Sequence, residues 1–401
     1  MLNKAIELDA ADPLARFRER FDLPDGVIYL DGNSLGALPK STRERLAQVV
    51  DAEWGRDLIR SWNTADWIGM PQRVGGKIAP LIGACPHEVI ACDSVSVNLA
   101  KLIGAALHMR PGRTVVLSEP GNFPTDIYMV QGSPAEQRLA ARDRIVDALD
   151  ENVALLMLTH VHYKTGAMFD MAALTEAAHA AGALVLWDLS HSGGAVPVDL
   201  GACNADMAVG CGYKYLNGGP GAPAYAFVAE RHHAALVNPI SGWMGHAAPF
   251  AFSDEYAPAP GVSRLLAGTP PVLAMAALEC GVELMAEIGI EPLVAKSRAL
   301  SEFFRAAMAE HCPGLECVSP ADPALRGSQL SYRHLEAYAL SQALIARGVI
   351  GDFRAPDVLR LGFAPAYVGF ADCARAIEAL AEVLASGAWQ REEFRQRAAV
   401  T

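Results

Sequence analysis

The chain has 401 residues, of which 52% are hydrophobic and 19% are charged. A chain this apolar can bury a large core, which excludes intrinsic disorder, and its length suits two domains or one large domain with an appendage. The formal net charge of −12 argues against a general nucleic-acid-binding protein and against binding to anionic membranes, because both need a basic surface.

The cysteines and the N-terminal segment predict a soluble, cytoplasmic protein. The eight cysteines form no CxxC pair, so we expect reduced and mostly buried thiols rather than a disulfide framework. Glu7 and Asp9 lie where a signal peptide would be apolar, and prolines and glycines interrupt the longest charge-free run, residues 232–253. We therefore expect neither a signal peptide nor a membrane-spanning helix.

Short apolar runs alternate with longer helical patterns over the first 290 residues, which predicts a mainly parallel sheet covered by helices. The seven predicted strands span residues 27–30, 89–92, 114–118, 154–159, 183–188, 207–211 and 224–228. Pro39 and Ser41, with Glu44 three residues further on, predict a capping box that opens a helix towards Arg60. Further helices are predicted after residue 94, over 172–181 with Gly182 just beyond, and over 271–285.

The pattern changes after about residue 288. A helix is predicted over 291–311, strands over 329–333, 349–354 and 358–363, and a last helix over 371–385. The sequence therefore predicts an α/β fold with a large domain at 46–287, in which a mainly parallel seven-stranded sheet carries helices on both faces. Residues 1–45 and 288–401 are predicted to form a smaller α+β domain.

Two segments in the first third of the chain could hold a phosphorylated aromatic ligand. Ser94 and Ser96 lie between a predicted strand and a helix, where backbone N–H groups and hydroxyls suit an anion, although an ordinary helix cap explains them equally well. Phe123, with Asp126 one short turn later, follows another strand and could stack on a ring. The alternative for Phe123 is an ordinary core position.

An acidic residue and a lysine follow two later strands. Asp188 ends a buried-looking strand, with His191 just beyond, and ligands of open α/β sheets bind at the carboxyl ends of strands. Lys214 follows the next strand within the glycine-rich run 209–221, and a desolvated lysine can form a Schiff base. The alternatives are a loop carboxylate for Asp188 and a solvated strand-end lysine for Lys214. Dense glycines indicate that the backbone approaches something bulky, which a surface lysine does not need.

A site for pyridoxal 5′-phosphate needs a phosphate cradle, a stacking ring, an acid that faces the nitrogen of its pyridine ring, and a lysine that forms a Schiff base. The candidates above supply all four. At this point the chain resembles the kynureninase family of fold-type-I pyridoxal-phosphate enzymes over nearly its whole length. The matching motifs are YLDGNSLGALP (29–39), SVNLAKL (96–102), FPTD (123–126), DLSHSGGAVPVDL (188–200), GYKYLNGGPG (212–221), GWMGH (242–246), GTPP (268–271) and LRLGFAPAY (359–367).

The resemblance implies hydrolysis of L-kynurenine to anthranilate and L-alanine, in tryptophan catabolism, the kynurenine pathway and NAD biosynthesis. It assigns Lys214 as the Schiff-base lysine that moves the Cα proton, and Tyr213 as a second catalytic residue that relays protons. The residues that it implies for cofactor binding are Val95, Ser96, Phe123, Pro124, Thr125, Asp126, Thr159, Asp188, His191, Tyr213, Lys214, Trp243 and Thr269.

Three further residues are assigned to the substrate, and two of the cofactor contacts imply a dimer. Arg360 would grip the substrate carboxylate, with Ser34 and Trp62 also at the substrate. In the family Trp243 and Thr269 reach the phosphate from the neighbouring subunit, which implies a homodimer with shared active sites. Trp62 and Thr269 stand where animal members have histidine and asparagine, which resembles the bacterial type that prefers kynurenine to 3-hydroxykynurenine.

Three alternatives remain open from the sequence. Cysteine desulfurases and selenocysteine lyases share the fold and cofactor, but they usually have histidine where this chain has Tyr213, and they use a mobile cysteine, for which Cys312 or Cys317 would serve. A non-catalytic pyridoxal-phosphate sensor is the second alternative, and no basic DNA-binding segment supports it. The third, a metal site at residues 160 and 162 or at 232 and 233, lacks a third ligand, so we expect no metal.

Overall fold

The computed structural model describes residues 1–397, and the last four residues of the predicted small domain lie outside that range. Fifteen β-strands occur in the described part of the chain. In chain order they are β1 (Phe21–Asp22), β2 (Ile28–Tyr29), β3 (Leu38–Pro39), β4 (Val89–Ala91), β5 (Val115–Ser118), β6 (Glu136–Leu139), β7 (Val153–Thr159), β8 (Leu184–Asp188), β9 (Met207–Cys211), β10 (Ala224–Val228), β11 (Glu316–Cys317), β12 (Gln329–Arg333), β13 (Val349–Ile350), β14 (Asp352–Arg354) and β15 (Val358–Gly362).

Eleven α-helices accompany these strands within residues 1–397. They are α1 (Leu2–Ala10), α2 (Lys40–Gln48), α3 (Ser61–Thr64), α4 (Met70–Ile78), α5 (Val95–Met109), α6 (Pro124–Gln131), α7 (Met171–Ala180), α8 (Val272–Ile288), α9 (Ile290–His311), α10 (Ala337–Ile345) and α11 (Phe370–Ser386). In this part of the chain, no helix is long and apolar enough to cross a membrane.

Seven strands form the main sheet, in the order β4-β10-β9-β8-β7-β5-β6. Strand β10 is antiparallel to both of its neighbours, and the strands from β9 to β6 are mutually parallel. Alternate residues of the central strands enter different cores: Leu155 and Met157 belong to one apolar cluster, Leu156 and Leu158 to the other. Helices therefore cover both faces of the sheet, as predicted.

The membership of the main sheet differs from the prediction at two strands. β2, which we predicted as one of the seven, lies outside the main sheet and pairs in parallel with β13, so that Val349 aligns with Ile28. The seventh strand is instead β6, whose sequence Glu-Gln-Arg-Leu carries no apolar pattern. An edge strand with half-exposed side chains needs no apolar run, which is why the sequence pattern missed it.

Two other local predictions were wrong. The capping box at Ser41 does not form: helix α2 begins at Lys40 after Pro39, without a side-chain cap, and continues beyond Gln48 as a wider π-helical segment to Trp54. The strand predicted over 349–354 is interrupted at Gly351, where a Cβ would lie 3.0 Å from the Arg360 carbonyl oxygen. Its halves, β13 and β14, belong to different sheets.

A second sheet of four strands, ordered β11-β12-β15-β14 and antiparallel throughout, is formed by the C-terminal part of the chain. The N-terminal segment packs against this part. Helix α1 contacts α11, and the Asp9 carboxylate accepts hydrogen bonds from the N–H groups of Phe370 and Ala371 at 2.6 and 2.9 Å. Asp9 thereby caps α11, whose own cap residue, Gly369, has no side chain.

Candidate active site

The carboxyl ends of parallel strands bring the predicted site residues together. Thr159, the last residue of β7, pairs in register with Asp188, the last residue of β8, and Asp188 pairs with Val209 of β9. Lys214 follows the end of β9 by three residues. Adjacent parallel strands with this register place the three side chains at one edge of the sheet, where open α/β sheets bind ligands.

A cavity of about 180 Å³ lies at this edge. Its lining contains nine of the residues assigned to the cofactor or to catalysis, the helix-start residue Ser94, and five residues that the sequence did not single out for the chemistry. The lining residues are Ser94, Val95, Ser96, Phe123, Thr125, Thr159, Tyr163, Asp188, Ser190, His191, Cys211, Tyr213, Lys214, Ala222 and Ala224.

The Lys214 amine lies inside this cavity and is only 9% exposed as a residue. Its Nζ is 3.1 Å from Nε2 of His191, 5.8 Å from the centre of the Phe123 ring and 5.7 Å from the centre of the Tyr213 ring. With the amine as donor, Nε2 accepts and the imidazole proton lies on Nδ1. That Nδ1 is buried and has no hydrogen-bond partner within residues 1–397.

The glycines around Lys214 leave room for neighbouring residues of the same chain. A Cβ on Gly212 would lie 2.3 Å from the carbonyl oxygen of Pro223, and one on Gly210 would lie 2.2 Å from the Tyr225 hydroxyl. The bulky neighbour that dense glycines predicted is therefore the adjacent strand β10. A third contact joins the N-terminal motif to the lysine loop: the Gly36 amide donates to the Tyr213 carbonyl at 2.8 Å.

Two buried carboxyl groups lie at the site: Asp188 lines the cavity, and Asp126 contacts the cavity residue Thr159. Asp188 accepts the Ser190 N–H at 2.7 Å, and burial raises its pKa although Ser190 and Lys214 oppose the shift. Asp126 is fully buried, and burial followed by the charge of Asp188 raises its pKa well above the usual range. Oδ1 of Asp126 has no partner within the described chain, and the Thr159 hydroxyl lies 3.1 Å from Oδ2. Unpaired buried acceptors next to a lysine are typical of a ligand site.

Burial, followed by the positive charge of Lys214, lowers the pKa of His191 well below its usual value, so that this imidazole is neutral at pH 7. Burial likewise raises the pKa of the Tyr213 hydroxyl, which stays protonated at pH 7. The Lys214 amine therefore contacts a neutral imidazole, and the ring of a neutral phenol lies 5.7 Å away.

Asn122 is a residue that our sequence interpretation missed. Its side-chain oxygen accepts the Phe123 N–H at 2.7 Å and contacts the Thr159 hydroxyl, and its amide donates to the Ser118 hydroxyl at 3.1 Å. These bonds fix the turn that presents Phe123, whose side chain stays 40% exposed. The signal available was its position directly before the FPTD motif.

The N-terminus of helix α5 forms another wall. The Ser94 hydroxyl caps the helix by accepting the Val97 N–H at 3.3 Å, and Val95 and Ser96 line the cavity. Lys101 is completely buried, and its Nζ donates to Asp93 and to the Leu265 carbonyl. This contact holds the start of α5 against the segment that leads to the GTPP motif.

Arg360 is buried next to the cavity, in β15, and each of its three guanidinium nitrogens donates at least one hydrogen bond within the protein. Nε donates to Asp352 Oδ1 at 2.8 Å, while the terminal nitrogens donate to the Tyr163 carbonyl and to the Ser34 hydroxyl, each at 2.7 Å. Tyr163 lines the cavity, so Arg360 lies directly behind its wall. The sequence predicted Arg360 and Ser34 but not Asp352 or Tyr163.

Seven of the sixteen predicted site residues do not line this cavity within a single chain: Ser34, Asp126 and Arg360, and also Pro124, Trp62, Trp243 and Thr269. Trp62 and Thr269 line a separate, open and mostly apolar groove together with Trp54 and Trp67. Trp243 is 40% exposed and packs edge-on against Phe250. Pro124 begins helix α6 next to Phe123, and its ring is not part of the cavity wall either.

The histidine pairs considered for a metal have protein partners. The His160 ring contacts the Ser192 hydroxyl at 2.9 Å, and the His162 ring contacts the Gly121 carbonyl at 3.0 Å. His232 pairs with Asp206, and His233 contacts the Val228 carbonyl. Within residues 1–397 no three histidine, cysteine or acidic side chains are grouped in a way that could hold a metal ion.

The cysteines proposed for a desulfurase are also not at the cavity. Cys312 is buried after the end of α9, and Cys317 lies in β11. The cysteine that lines the cavity is Cys211, and burial raises the pKa of its thiol, which disfavours the nucleophilic thiolate.

The donor set fits pyridoxal 5′-phosphate. A capped helix N-terminus suits a phosphate, an accessible phenylalanine offers a stacking face, and a lysine and an aspartate stand at adjacent strand ends. The unpartnered Nδ1 of His191 and Oδ1 of Asp126 are buried polar atoms that a polar ligand could satisfy.

Comparisons with known proteins identify the family of the chain. A family model described as the kynureninase C-terminal domain matches residues 293–380. A protein named kynureninase from Burkholderia mallei is 50% identical over 99% of both chains, and one from Deinococcus radiodurans is 49% identical over 94% of this chain and 95% of its own. The solved cysteine desulfurase of Thermococcus onnurineus NA1 is 16% identical, with a TM-score of 0.78 over 93% of this chain and 98% of its own, which shows a shared fold alone. On the strength of this near-complete match at half identity, the chain belongs to the kynureninase family.

Proposed function

We propose that this protein hydrolyses L-kynurenine to anthranilate and L-alanine with pyridoxal 5′-phosphate bound in the cavity around Lys214. The observation that carries the proposal is the adjacency of Lys214, His191 and Asp188 at the ends of neighbouring strands. The reaction class and the cofactor are those of the kynureninase family.

The cofactor would be held from four sides. Ser96 and the backbone of Val95 would bind its phosphate at the start of α5, with Tyr213 close by, and Phe123 would stack on its ring, supported by the turn through Pro124 and Thr125. Thr159, Asp126 and His191 would contact the polar edges of the ring, and Asp188 would face its nitrogen. The support is that most of these side chains line one cavity.

When bound, the cofactor supplies a conjugated ring that accepts the electrons released at Cα of the substrate. Asp188 would hold a proton on the ring nitrogen, and its ionised form is favoured there because a positive ring would offset its burial. The Lys214 amine would remove the Cα proton and later return one. Water would add to the γ-carbonyl of the substrate, and the Cβ–Cγ bond would break to release anthranilate. The remaining three-carbon fragment would gain a proton at Cβ and leave as L-alanine.

Tyr213 would relay a proton beside Lys214, because burial keeps its hydroxyl protonated and its ring packs within 5.7 Å of the amine. Tyr213→Phe keeps the ring and deletes the hydroxyl, so unchanged turnover in this variant would contradict the role. Arg360 and Ser34 would bind the substrate carboxylate, and Trp62 would contact the substrate.

The active enzyme would be a homodimer in which each chain completes the site of its partner. The support is that Trp243 and Thr269 lie outside the cavity, on exposed or open surface rich in aromatic side chains. Such surface is costly to leave in water and is typical of an interface. We further propose a cytoplasmic enzyme of tryptophan breakdown, which in some cells would feed NAD synthesis.

We also propose the domain division at 46–287 against 1–45 with 288–401. Its support is the pairing of β2 with β13 and the cap that Asp9 forms on helix α11, since both tie the N-terminal residues to the C-terminal part.

The decisive experiment combines a spectrum with an assay. The purified protein should show the visible absorbance of a lysine-bound cofactor and should produce fluorescent anthranilate from L-kynurenine. Lys214→Ala should lose that absorbance and slow turnover about 10⁴-fold, the upper range for one acid–base group. Lys4→Ala, at an exposed lysine, is the matched control and should change neither property. Sulfide release from cysteine without anthranilate formation would instead favour a desulfurase.

A further inference from the structure

Two aspartates and two arginines from three segments meet behind the wall of the cavity. Asp352 Oδ1 accepts a hydrogen bond from Arg360 Nε at 2.8 Å, and its Oδ2 forms an ion pair with an Arg354 terminal nitrogen at 2.7 Å. The Ser34 hydroxyl also donates to Oδ2, at 2.8 Å. The fourth charged member is Asp31, which lies between β2 and Ser34 in the YLDGNSLGALP motif and interacts with Asp352 and Arg360.

The two aspartates differ in their bonding. Asp352 is 1% exposed and holds two arginines, which outweigh the effect of burial and lower its pKa, so this carboxylate stays ionised. Asp31 Oδ1 is buried without a hydrogen-bond partner within residues 1–397. Burial and then the charge of Asp352 raise the pKa of Asp31 to about 7.

The remaining groups that face Asp31 do not compete for its proton. Tyr29, Tyr215 and Tyr367 surround it, and burial raises the pKa of each phenol, so all three stay neutral near pH 7. Arg354 and Arg360 stay positive. Asp31 is therefore the group in this cluster that changes its charge near neutrality.

The net charge of this cluster determines how favourably it binds an anion. With Asp31 ionised, two arginines balance two aspartates, and a ligand carboxylate would leave one uncompensated negative charge in a buried site. With Asp31 protonated the cluster carries one positive charge, which the ligand carboxylate neutralises. Unpaired buried charge is strongly unfavourable, so the ligand selects the protonated form.

We propose that Asp31 takes up one proton from solvent when the carboxylate of an amino acid binds at Arg360, and so sets the affinity of the site for that carboxylate. The inference rests on the carboxylate-binding role of Arg360 in the proposed function. Only an O–H bond forms on Asp31, and no oxidant or other reactant is needed.

The experiment compares L-alanine with L-alaninamide, which lacks the carboxylate, on the holoenzyme. Titration calorimetry in two buffers of different ionisation enthalpy gives the number of protons taken up with each ligand. The quantity of interest is the proton uptake with L-alanine minus the proton uptake with L-alaninamide. At about pH 8 we expect this difference to be about one proton larger in the natural protein than in Asp31→Asn. Subtracting the two proteins removes the protons that the ligand amines release. Asp143→Asn, at an exposed carboxylate, is the control and should behave as the natural protein does.

A second measurement needs no variant. Between about pH 6 and pH 8 the affinity for L-alanine relative to L-alaninamide should fall about tenfold, because binding requires a proton that Asp31 has released. A ratio that does not change with pH would overturn the proposal, and so would equal proton uptake in Asp31→Asn.

The roles of Arg360 and Asp31 can be tested separately. If Arg360→Lys leaves the preference for L-alanine over L-alaninamide unchanged, the role of Arg360 is wrong and this inference falls with it. If Arg360→Lys removes the preference while Asp31→Asn keeps the proton uptake, only the role of Asp31 is wrong.

Discussion

Aspartates buried at the two ends of the main sheet have opposite environments. Asp126 and Asp188 at the cavity, and Asp206 at the other end of the sheet, are all at most 3% exposed. Asp206 accepts hydrogen bonds from the rings of His179 and His232, from Arg231 and from the Val185 N–H, at 2.7–2.8 Å. These bonds outweigh the effect of burial and lower its pKa below the usual range. At the cavity the balance is reversed, and burial keeps the pKa of both aspartates raised.

The difference distinguishes an aspartate that stabilises the fold from aspartates that are kept for a ligand. A carboxylate with four donors has its burial compensated within the protein. A carboxylate with an empty acceptor position costs folding energy until something else supplies the donor. Three substitutions test this division, in order of expected effect.

The largest effect is expected for Asp188→Asn. An amide cannot hold a proton on the cofactor ring nitrogen, so the rate of anthranilate formation should fall about 10²–10³-fold, as when one preorganised electrostatic group is removed. The stability of the cofactor-free protein in urea should not fall, because the buried charge is gone. If the variant loses stability but keeps its activity, Asp188 stabilises the fold, as Asp206 does, and the prediction is wrong.

Asp206→Asn should lower the stability and leave the activity unchanged, the opposite of Asp188→Asn. The amide loses its charge-assisted bonds to the two histidines and to Arg231, so the free energy of unfolding at pH 7 should fall by about 3 kcal/mol. Because the folded-state pKa of Asp206 is lowered, its contribution is complete above the unfolded value of about 4 and is lost as the pH falls through the folded-state pKa. Urea denaturation should therefore show a smaller difference between the two proteins in acid. Turnover per folded molecule should stay unchanged.

The smallest effect is expected for Asp126→Asn in the cofactor-free protein. Its folded-state pKa is raised, so the ionised carboxyl opposes folding at neutral pH, and the penalty disappears as the pH falls through that pKa. The neutral amide should raise the free energy of unfolding at pH 7 by about 1 kcal/mol. Urea denaturation measures the change. Destabilisation of that size at pH 7 would mean that the Asp126 carboxylate supports the fold.

The sequence predicted the strand ends of the site well because those residues follow strands with continuous apolar runs. Thr159, Asp188 and Lys214 could be placed together from topology alone. Strand β6 could not be predicted, because an edge strand lacks the apolar pattern. Asp352 was missed for another reason. Its role depends on contacts with Arg354, Arg360 and Ser34, and Ser34 is more than 300 residues away in the chain.

The attachment of the N-terminal segment has a consequence for the order in which the molecule can assemble. Strand β2 of that segment pairs with β13 near residue 350, and helix α1 ends with Asp9, which caps a helix that starts at residue 370. During synthesis on the ribosome, the N-terminal strand and helix therefore cannot form these contacts until the C-terminal part of the chain has been made. Premature termination at the 3′ end of the message would thus also leave the beginning of the protein without its partners.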